Sequence, residues 1–332
     1  MKYIIIFLSS LILSLILTPI VKKVTTKLGI VNMPKDTRWK HEPVALLGGI
    51  AIFVSFVLAT LLIADPKKEI FVILAGGGAI FALGFLDDLQ GTYPKIKFAF
   101  QIVVAFAVAY FDVVSRLTPY FWMDVSLTVL WIVGLSNAIN LLDNMDGLSS
   151  GIVIIAASSI MGVSLLKGRN DEALMCLALI GACLGFLRYN FNPAKIFMGD
   201  CGSLFLGYML ATLSVLSFWQ SDSPSASTFF SPILILGVAI FDTTLVTILR
   251  FIHRRMPWQG GKDHSSHRLV HIFGGNEKYA VLSLYGVGAV VGISGVTIMM
   301  LGPLATAIVT LIFFAGMIIF GIRLAKVECY PK

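Results

Sequence analysis

Eleven apolar stretches divide this chain, and they constrain its fold more than any other feature. They run over 3–20, 44–63, 70–86, 97–111, 125–141, 148–166, 173–187, 202–218, 230–249, 280–300 and 303–322. A helix crosses the hydrocarbon core of a bilayer with about 20 apolar residues. The pattern therefore predicts an all-α, polytopic integral membrane helix bundle with about 11 transmembrane helices, forming a single domain over 1–332. The fourth and seventh stretches are short. Composition agrees, with 57% hydrophobic and only 13% charged residues, against about 45–50% and about 25% in soluble domains. That excludes most soluble readings, and it excludes disorder, which needs low hydrophobicity and high charge. Lys22 and Lys23 follow the first stretch and no clear cleavage site does, so it reads as a retained anchor. Cys176, Cys183, Cys201 and Cys329 show no zinc-site spacing and read as small apolar fillers.

The charges are not spread evenly between the stretches. In a soluble protein the net charge of +7 would raise nucleic acid as a partner. Here it points instead to loops retained on one side of a membrane, and no nucleic acid is expected. Alternate connections carry 19 of the 25 lysines and arginines. These connections are expected in the cytoplasm, with the N-terminus outside and the C-terminus inside. Asp87, Asp88, Asp143, Asp146, Asp200 and Asp263 fall in the same inner set, although acids contribute little to topology. The outer acids Asp65, Asp112, Asp124, Asp171 and Asp222 read as solvated loop caps.

The inner connections carry the candidate chemistry. Asp87-Asp88 end the third stretch, where adjacent carboxylates are tolerated when a divalent cation or cationic ligand sits between them. Lys97 opens the next stretch and can hold a phosphate as a point charge, or simply snorkel. NAINLLDNMDG (137–147) supplies hard oxygen ligands from Asn140, Asp143, Asn144 and Asp146. Asp143 and Asp146 are three apart, which places them on one face of a helix. The twelve-residue EF-hand pattern is absent, and a Mg²⁺ or nucleotide site is more economical. Asp200, flanked by Gly199 and Gly202, precedes an apolar stretch whose helix N-terminus favours an anion; it can equally be a capping residue. Asp242 lies inside the ninth stretch, roughly 12 Å below its inner end. An acid there is a functional candidate or a packing hydrogen bond within the bundle. The 250–279 connection holds His253, His264, His267 and His271, and the fifth histidine, His41, lies with Arg38 in the first inner connection. His264 and His267 share a face if helical. With Arg254, Arg255, Lys262 and Arg268 they suit a pyrophosphate, zinc and anionic lipid headgroups being the alternatives.

Five blocks in this order resemble one known family: MPKDTRWKHEPVALLGG, GFLDDLQGTYPKIKFAFQ, NAINLLDNMDGLSSG, NFNPAKIFMGDCGSLFLG and DHSSHRL. The chain is similar over nearly its whole length to the polyprenyl-phosphate N-acetylhexosamine-1-phosphate transferases, closer to the WecA/TagO branch than to MraY. The resemblance implies an enzyme of the bacterial cytoplasmic membrane that is Mg²⁺-dependent, with Mn²⁺ as a substitute. Its substrates would be UDP-GlcNAc and undecaprenyl (polyprenyl) phosphate within the membrane lipid, and assembly as a homodimer is implied by resemblance alone. It implies that Asp87 and Asp88 match the paired acidic motif, Asn140 and Asp200 the Mg²⁺ positions, and Asp143 and Asp146 the nucleotide-loop acids. Lys97 matches the phosphate-facing lysine, and His264 and His267 the last-loop histidines. Arg268 joins the substrate-binding set, and Asp242, Arg38 and His41 are further candidates. One departure is Ser266, where relatives usually carry a further histidine. The lipid tail is expected in an apolar groove near the fourth, fifth and ninth spans. The competing class is a transporter or flippase, which would place acids near mid-membrane on broken helices and carry an internal repeat; a structural scaffold gives no reason for five polar blocks.

Overall fold

The computed structural model describes residues 1–32, 43–63, 67–221, 224–256, 261–327 and 329. Arg38 and His41 lie outside the described residues. The elements are α1 (Lys2–Lys27), β1 (Val31–Asn32), β2 (Val44–Ala45), α2 (Gly49–Ile63), α3 (Lys68–Gln90), α4 (Pro94–Tyr110), α5 (Phe121–Leu142) and α6 (Leu148–Leu166). They continue with α7 (Asn170–Asn190), α8 (Asp200–Ser214, extended by a π-helical turn Val215–Trp219), α9 (Ala226–Ile235), α10 (Gly237–Ile252), α11 (Ser265–Ile272), α12 (Glu277–Ile298) and α13 (Pro303–Ala325).

The all-helical membrane architecture is as expected. Among the described residues eight helices are long and apolar enough by length and composition to cross a membrane, and α9 with α10, bent by 71°, counts as one more if the pair is a single span. The 15 residues of α2 and 17 of α4 are shorter, about 22 and 26 Å at 1.5 Å per residue, yet they return the chain across the bundle, because Asn32 before α2 and the ends of α3 and α5 line one cavity. Within the described residues, α8 is the centre of the molecule: every residue from Cys201 to Ser214 is buried, against α3, α5 and α2. At the other extreme, α13 keeps most of its apolar side chains exposed, as a lipid-facing helix does.

Polar links gather the helix ends. β1 pairs antiparallel with β2, and Ala45 bridges to Ile196. The Phe197 amide donates to the Ala45 carbonyl (2.8 Å), and the Gly48 and Gly49 amides donate back to Phe197 (2.9 Å) and Met198 (2.8 Å). The connection between α1 and α2 is thereby tied to the segment that leads into α8.

Small residues bring α1 against α7. Ser10 Oγ donates to the Ala178 carbonyl (2.6 Å) and Ser14 Oγ to Ala182 (2.7 Å). Gly181 and Gly185 stand opposite at the four-residue spacing that lets membrane helices approach closely. A Cβ on Gly185 would lie 2.6 Å from Ser14 Cβ and 2.9 Å from the Leu11 carbonyl oxygen. Gly185→Leu should therefore destabilise the fold by about 1–3 kcal/mol, and Ser14→Ala by roughly 0.6–1 kcal/mol. Thermal unfolding of the detergent-solubilised protein, followed by tryptophan fluorescence, checks this; an unchanged midpoint for Gly185→Leu would refute the close packing.

Candidate active site

Most of the expected residues meet at one end of the bundle. The C-terminal ends of α3, α5 and α7 and the N-terminal ends of α4, α8 and α12 surround a cavity of about 360 Å³. Asp87, Asp88, Asn140, Asp143, Asp146 and Asp200 all line it.

The adjacent acids on α3 face different protein partners. Successive residues on a helix point about 100° apart. Asp87 turns toward α4: Lys97 Nζ donates to its Oδ2 at 2.7 Å, and the Thr92 amide to its Oδ1 at 2.7 Å. Asp88 turns toward α8 and accepts from the amides of Asp200 (2.8 Å) and Cys201 (3.0 Å). Those first-turn amides have no partner within the helix. Gly199 makes this possible: its φ is +78°, and a Cβ there would lie 2.5 Å from Asp88 Oδ2.

Asp200 is the first residue of α8, with Gly199 as the cap. Lys97 Nζ bonds Asp200 as well as Asp87, so one ammonium links the two carboxylates. Asn140 Nδ2 donates to Asp200 Oδ1 (3.0 Å) and to Ser203 Oγ (2.8 Å). Both its donors face that way, which leaves Oδ1 as the atom for a cation. Among the described residues no three His, Cys, Asp or Glu side chains form a metal cage. Mg²⁺ takes one or two protein oxygens and completes its shell with waters and substrate phosphates, a donor set that Asp200 and Asn140 Oδ1 can supply. A cavity lined by so many carboxylates would repel a diphosphate without intervening cations.

The expected helical face for Asp143 and Asp146 is not formed, because α5 ends at Leu142. Asp143 lines the cavity from the connection that follows, and Asp146 Oδ2 accepts the Ala194 amide at 2.8 Å. Asn190 Oδ1 accepts the Gly147 amide (3.0 Å) while its Nδ2 donates to Ile196 (2.9 Å), stitching the two loops together. Glu277, the first residue of α12, also lines the cavity and accepts from Asn192 Nδ2 at 2.6 Å. Sequence reasoning passed over it, because an acid in a first helical turn reads as a dipole partner.

The 261–272 segment joins the cavity wall through Ser266. His264 caps α11, its ring 5.7 Å from that of His267. Ser266 Oγ donates to Asn144 Oδ1 (2.6 Å), which joins α11 to the cavity wall. Arg268 is 1% exposed. It donates through Nε to the Asp263 carbonyl (2.9 Å) and through one terminal nitrogen to Leu324 (3.2 Å) and Val327 (2.6 Å), so its described contacts fasten the loop to α13. Asp242, ten residues before the end of α10, is wholly buried and bonded to His264 and Ser265. An apolar crevice of about 440 Å³ lies between α9/α10 and α13. Of the spans expected to form the tail groove, it uses the ninth; its other wall is α13.

Burial, reinforced by neighbouring His264, pushes the His267 imidazole down to about 4. The folded state binds this proton less readily than the unfolded chain, where histidine titrates near ~6.5. The resulting stability is complete above pH ~6.5 and falls as pH drops toward 4, by about 3 kcal/mol. His267→Asn should lose that part of the decline in unfolding midpoint between pH 6.5 and 4. Superimposable profiles would mean that His267 charges freely within the fold.

Comparisons with known proteins bear on this geometry. Residues 70–218 match the model of Glycosyl transferase family 4. The chain is 39% identical over 310 residues (90% of this chain, 85% of the relative) to a Bacillus subtilis (strain 168) protein described as a probable undecaprenyl-phosphate N-acetylglucosaminyl 1-phosphate transferase. It is 30% identical over 339 residues (91% and 83%) to the decaprenyl-phosphate N-acetylglucosaminephosphotransferase of Mycolicibacterium smegmatis. It is 31% identical over 327 residues (89% and 97%) to the phospho-N-acetylmuramoyl-pentapeptide-transferase of Staphylococcus carnosus. With its multi-pass helices and its acid-lined site at their ends, the chain belongs to Glycosyl transferase family 4, as a membrane polyprenyl-phosphate sugar-phosphate transferase of cell-envelope biosynthesis.

Proposed function

We propose that this protein transfers N-acetylglucosamine 1-phosphate from UDP-GlcNAc to undecaprenyl phosphate. The products are undecaprenyl-diphospho-GlcNAc and UMP, and the step is the first membrane reaction of a cell-envelope polysaccharide pathway. The observation that carries the reading is the cluster of Asp87, Lys97, Asn140 and Asp200 at the ends of apolar helices. A lipid phosphate anchored by its tail stays at headgroup height, and a soluble nucleotide sugar can meet it only at such an edge. The higher identity to a relative named for GlcNAc than to one named for a muramoyl-pentapeptide supports the choice of sugar. The excess of basic residues in the connections around the site supports a cytoplasmic active site with the N-terminus outside.

In this reading an oxygen of the lipid phosphate attacks the β-phosphorus of UDP-GlcNAc. The bond from that phosphorus to the bridging oxygen breaks, and UMP leaves with the electron pair. Asp87, held by Lys97 and the Thr92 amide, aligns the attacking phosphate or takes its proton. Because phosphate is largely ionised near neutrality, alignment is the larger part of that task. Asp200 and Asn140 Oδ1 would hold Mg²⁺, which when bound offsets diphosphate charge and stabilises the departing UMP. Lys97 adds a point charge for a phosphate. A covalent aspartyl intermediate is the rival route, and exchange of labelled UMP into UDP-GlcNAc without lipid would favour it.

The test uses the purified full chain with radiolabelled UDP-GlcNAc, undecaprenyl phosphate and Mg²⁺. Labelled lipid and stoichiometric UMP are expected, and Asp200→Ala should lower turnover by at least ~10²-fold. UDP-GalNAc and UDP-MurNAc-pentapeptide should be poorer donors. Uptake of label into vesicles without lipid product would instead mark a transporter.

A further inference from the structure

A carboxylate placed inside a membrane span calls for a reason, and the contacts of Asp242 supply one. It is fully buried on α10, and its hydrogen-bond partners among the described residues belong to the DHSSHRL segment, 22 and 23 residues further on. Its Oδ1 accepts the Ser265 amide (2.7 Å) and Ser265 Oγ (2.6 Å), and its Oδ2 meets His264 Nδ1 at 2.8 Å. A second buried contact holds the same segment to the same helix. Arg250 grips Asp263 with two parallel bonds, Nε to Oδ2 at 2.9 Å and a terminal nitrogen to Oδ1 at 2.8 Å.

We propose that Asp242 is a positioning residue for the transfer reaction: it fixes the Nδ1–H form and ring orientation of His264, leaving Nε2 as the atom with which His264 meets the nucleotide sugar. This rests on the function proposed above. A carboxylate accepts only, so Nδ1 must carry the proton in either protonation state of the ring. No protein group among the described residues bonds Nε2, and it is not among the buried atoms left without a partner. His267, the next ring, has a buried Nδ1 without a hydrogen-bond partner. Ser266, between the two, bonds Asn144 on the cavity wall. The histidine pair is therefore held to α10 by Asp242 and, through the serine between the two rings, joined to the wall of the acid-lined cavity.

Asp242→Asn separates positioning from packing, since it keeps the shape of the side chain. The Ser265 amide can only donate, so the asparagine oxygen must stay there and its NH₂ must face His264. His264 then accepts at Nδ1 and carries its proton on Nε2, which inverts the hydrogen-bonding character of the atom left for substrate. With only five histidines in the chain, ¹⁵N-histidine NMR of the full-length protein in nanodiscs can report the tautomer. Wild type should carry the proton on Nδ1 and Asp242→Asn on Nε2. kcat/KM for UDP-GlcNAc should fall by ~10²-fold, and the double variant with His264→Asn should fall no further than either single variant.

His264→Asn guards against a folding defect, because its amide still donates to Asp242 while Nε2 is gone. It should unfold at the wild-type temperature and lose activity to the same extent. Retention of Nδ1–H in Asp242→Asn, turnover within threefold of wild type in either single variant, or multiplicative losses in the double variant would each overturn the proposal. If wild type turns over no nucleotide sugar, the functional reading fails; the proposal about catalysis falls with it, while the tautomer measurement still decides whether Asp242 sets the His264 ring.

Discussion

A carboxylate from one helix seated on the first amides of another organises the cavity end of this protein. The helix α8 is buried from Cys201 to Ser214, and no intrahelical carbonyl can satisfy its first-turn amides. Asp88 supplies the acceptors from α3, where the positive end of the helix dipole favours a negative charge. Because Asp87 is the next residue back on the same helix, that contact also fixes where Asp87 points. It faces Lys97, which in turn reaches Asp200 at the start of α8. The loop Asp87–Lys97–Asp200–Asp88 thus closes on itself through three elements. Remove the seat of Asp88 and the register between the other three is no longer determined.

The remaining polar contacts extend this logic outward. Loops 143–147 and 190–199 are held by side chains that accept or donate to backbone: Asp146 to Ala194, and Asn190 to Gly147 and Ile196. Each is worth only about 1 kcal/mol net, but breaking one leaves a buried group unsatisfied, which costs more than the bond contributes. The loops can therefore carry a cavity rich in carboxylates without collapsing onto a hydrophobic core. A diphosphate would enter such a cavity only with its counter-charge, because the carboxylates that line it repel a bare anion.

Much of this was legible from periodicity and charge. The apolar stretches gave the helices, and the clustering of acids in alternate connections gave the end at which the site lies. An acid within an apolar stretch marked Asp242 as purposeful. Other features could not be read because they depend on partners far away in sequence. Nothing near Asp88 announces that its partners are the amides of Asp200 and Cys201, more than 110 residues on. The three-residue spacing of Asp143 and Asp146 suggested a helical face, yet Asp146 instead satisfies a loop amide, and α5 ends at Leu142.

The connection between α10 and α12 shows why a helix as exposed as α13 still matters to the site. Arg268, from the DHSSHRL segment, donates to the carbonyls of Leu324 and Val327 at the end of α13. The final carbonyls of a helix lack partners, and a guanidinium there is favoured by the dipole. Arg250 and Asp242 attach the same segment to α10. Buried charges of this kind contribute little net stability, since desolvation offsets most of their attraction. What they contribute is geometry: with α10 and α13 both holding it, the segment cannot slide relative to the membrane. The histidines are then kept at a fixed height beside a cavity whose substrate, anchored by its tail, arrives at a fixed height too.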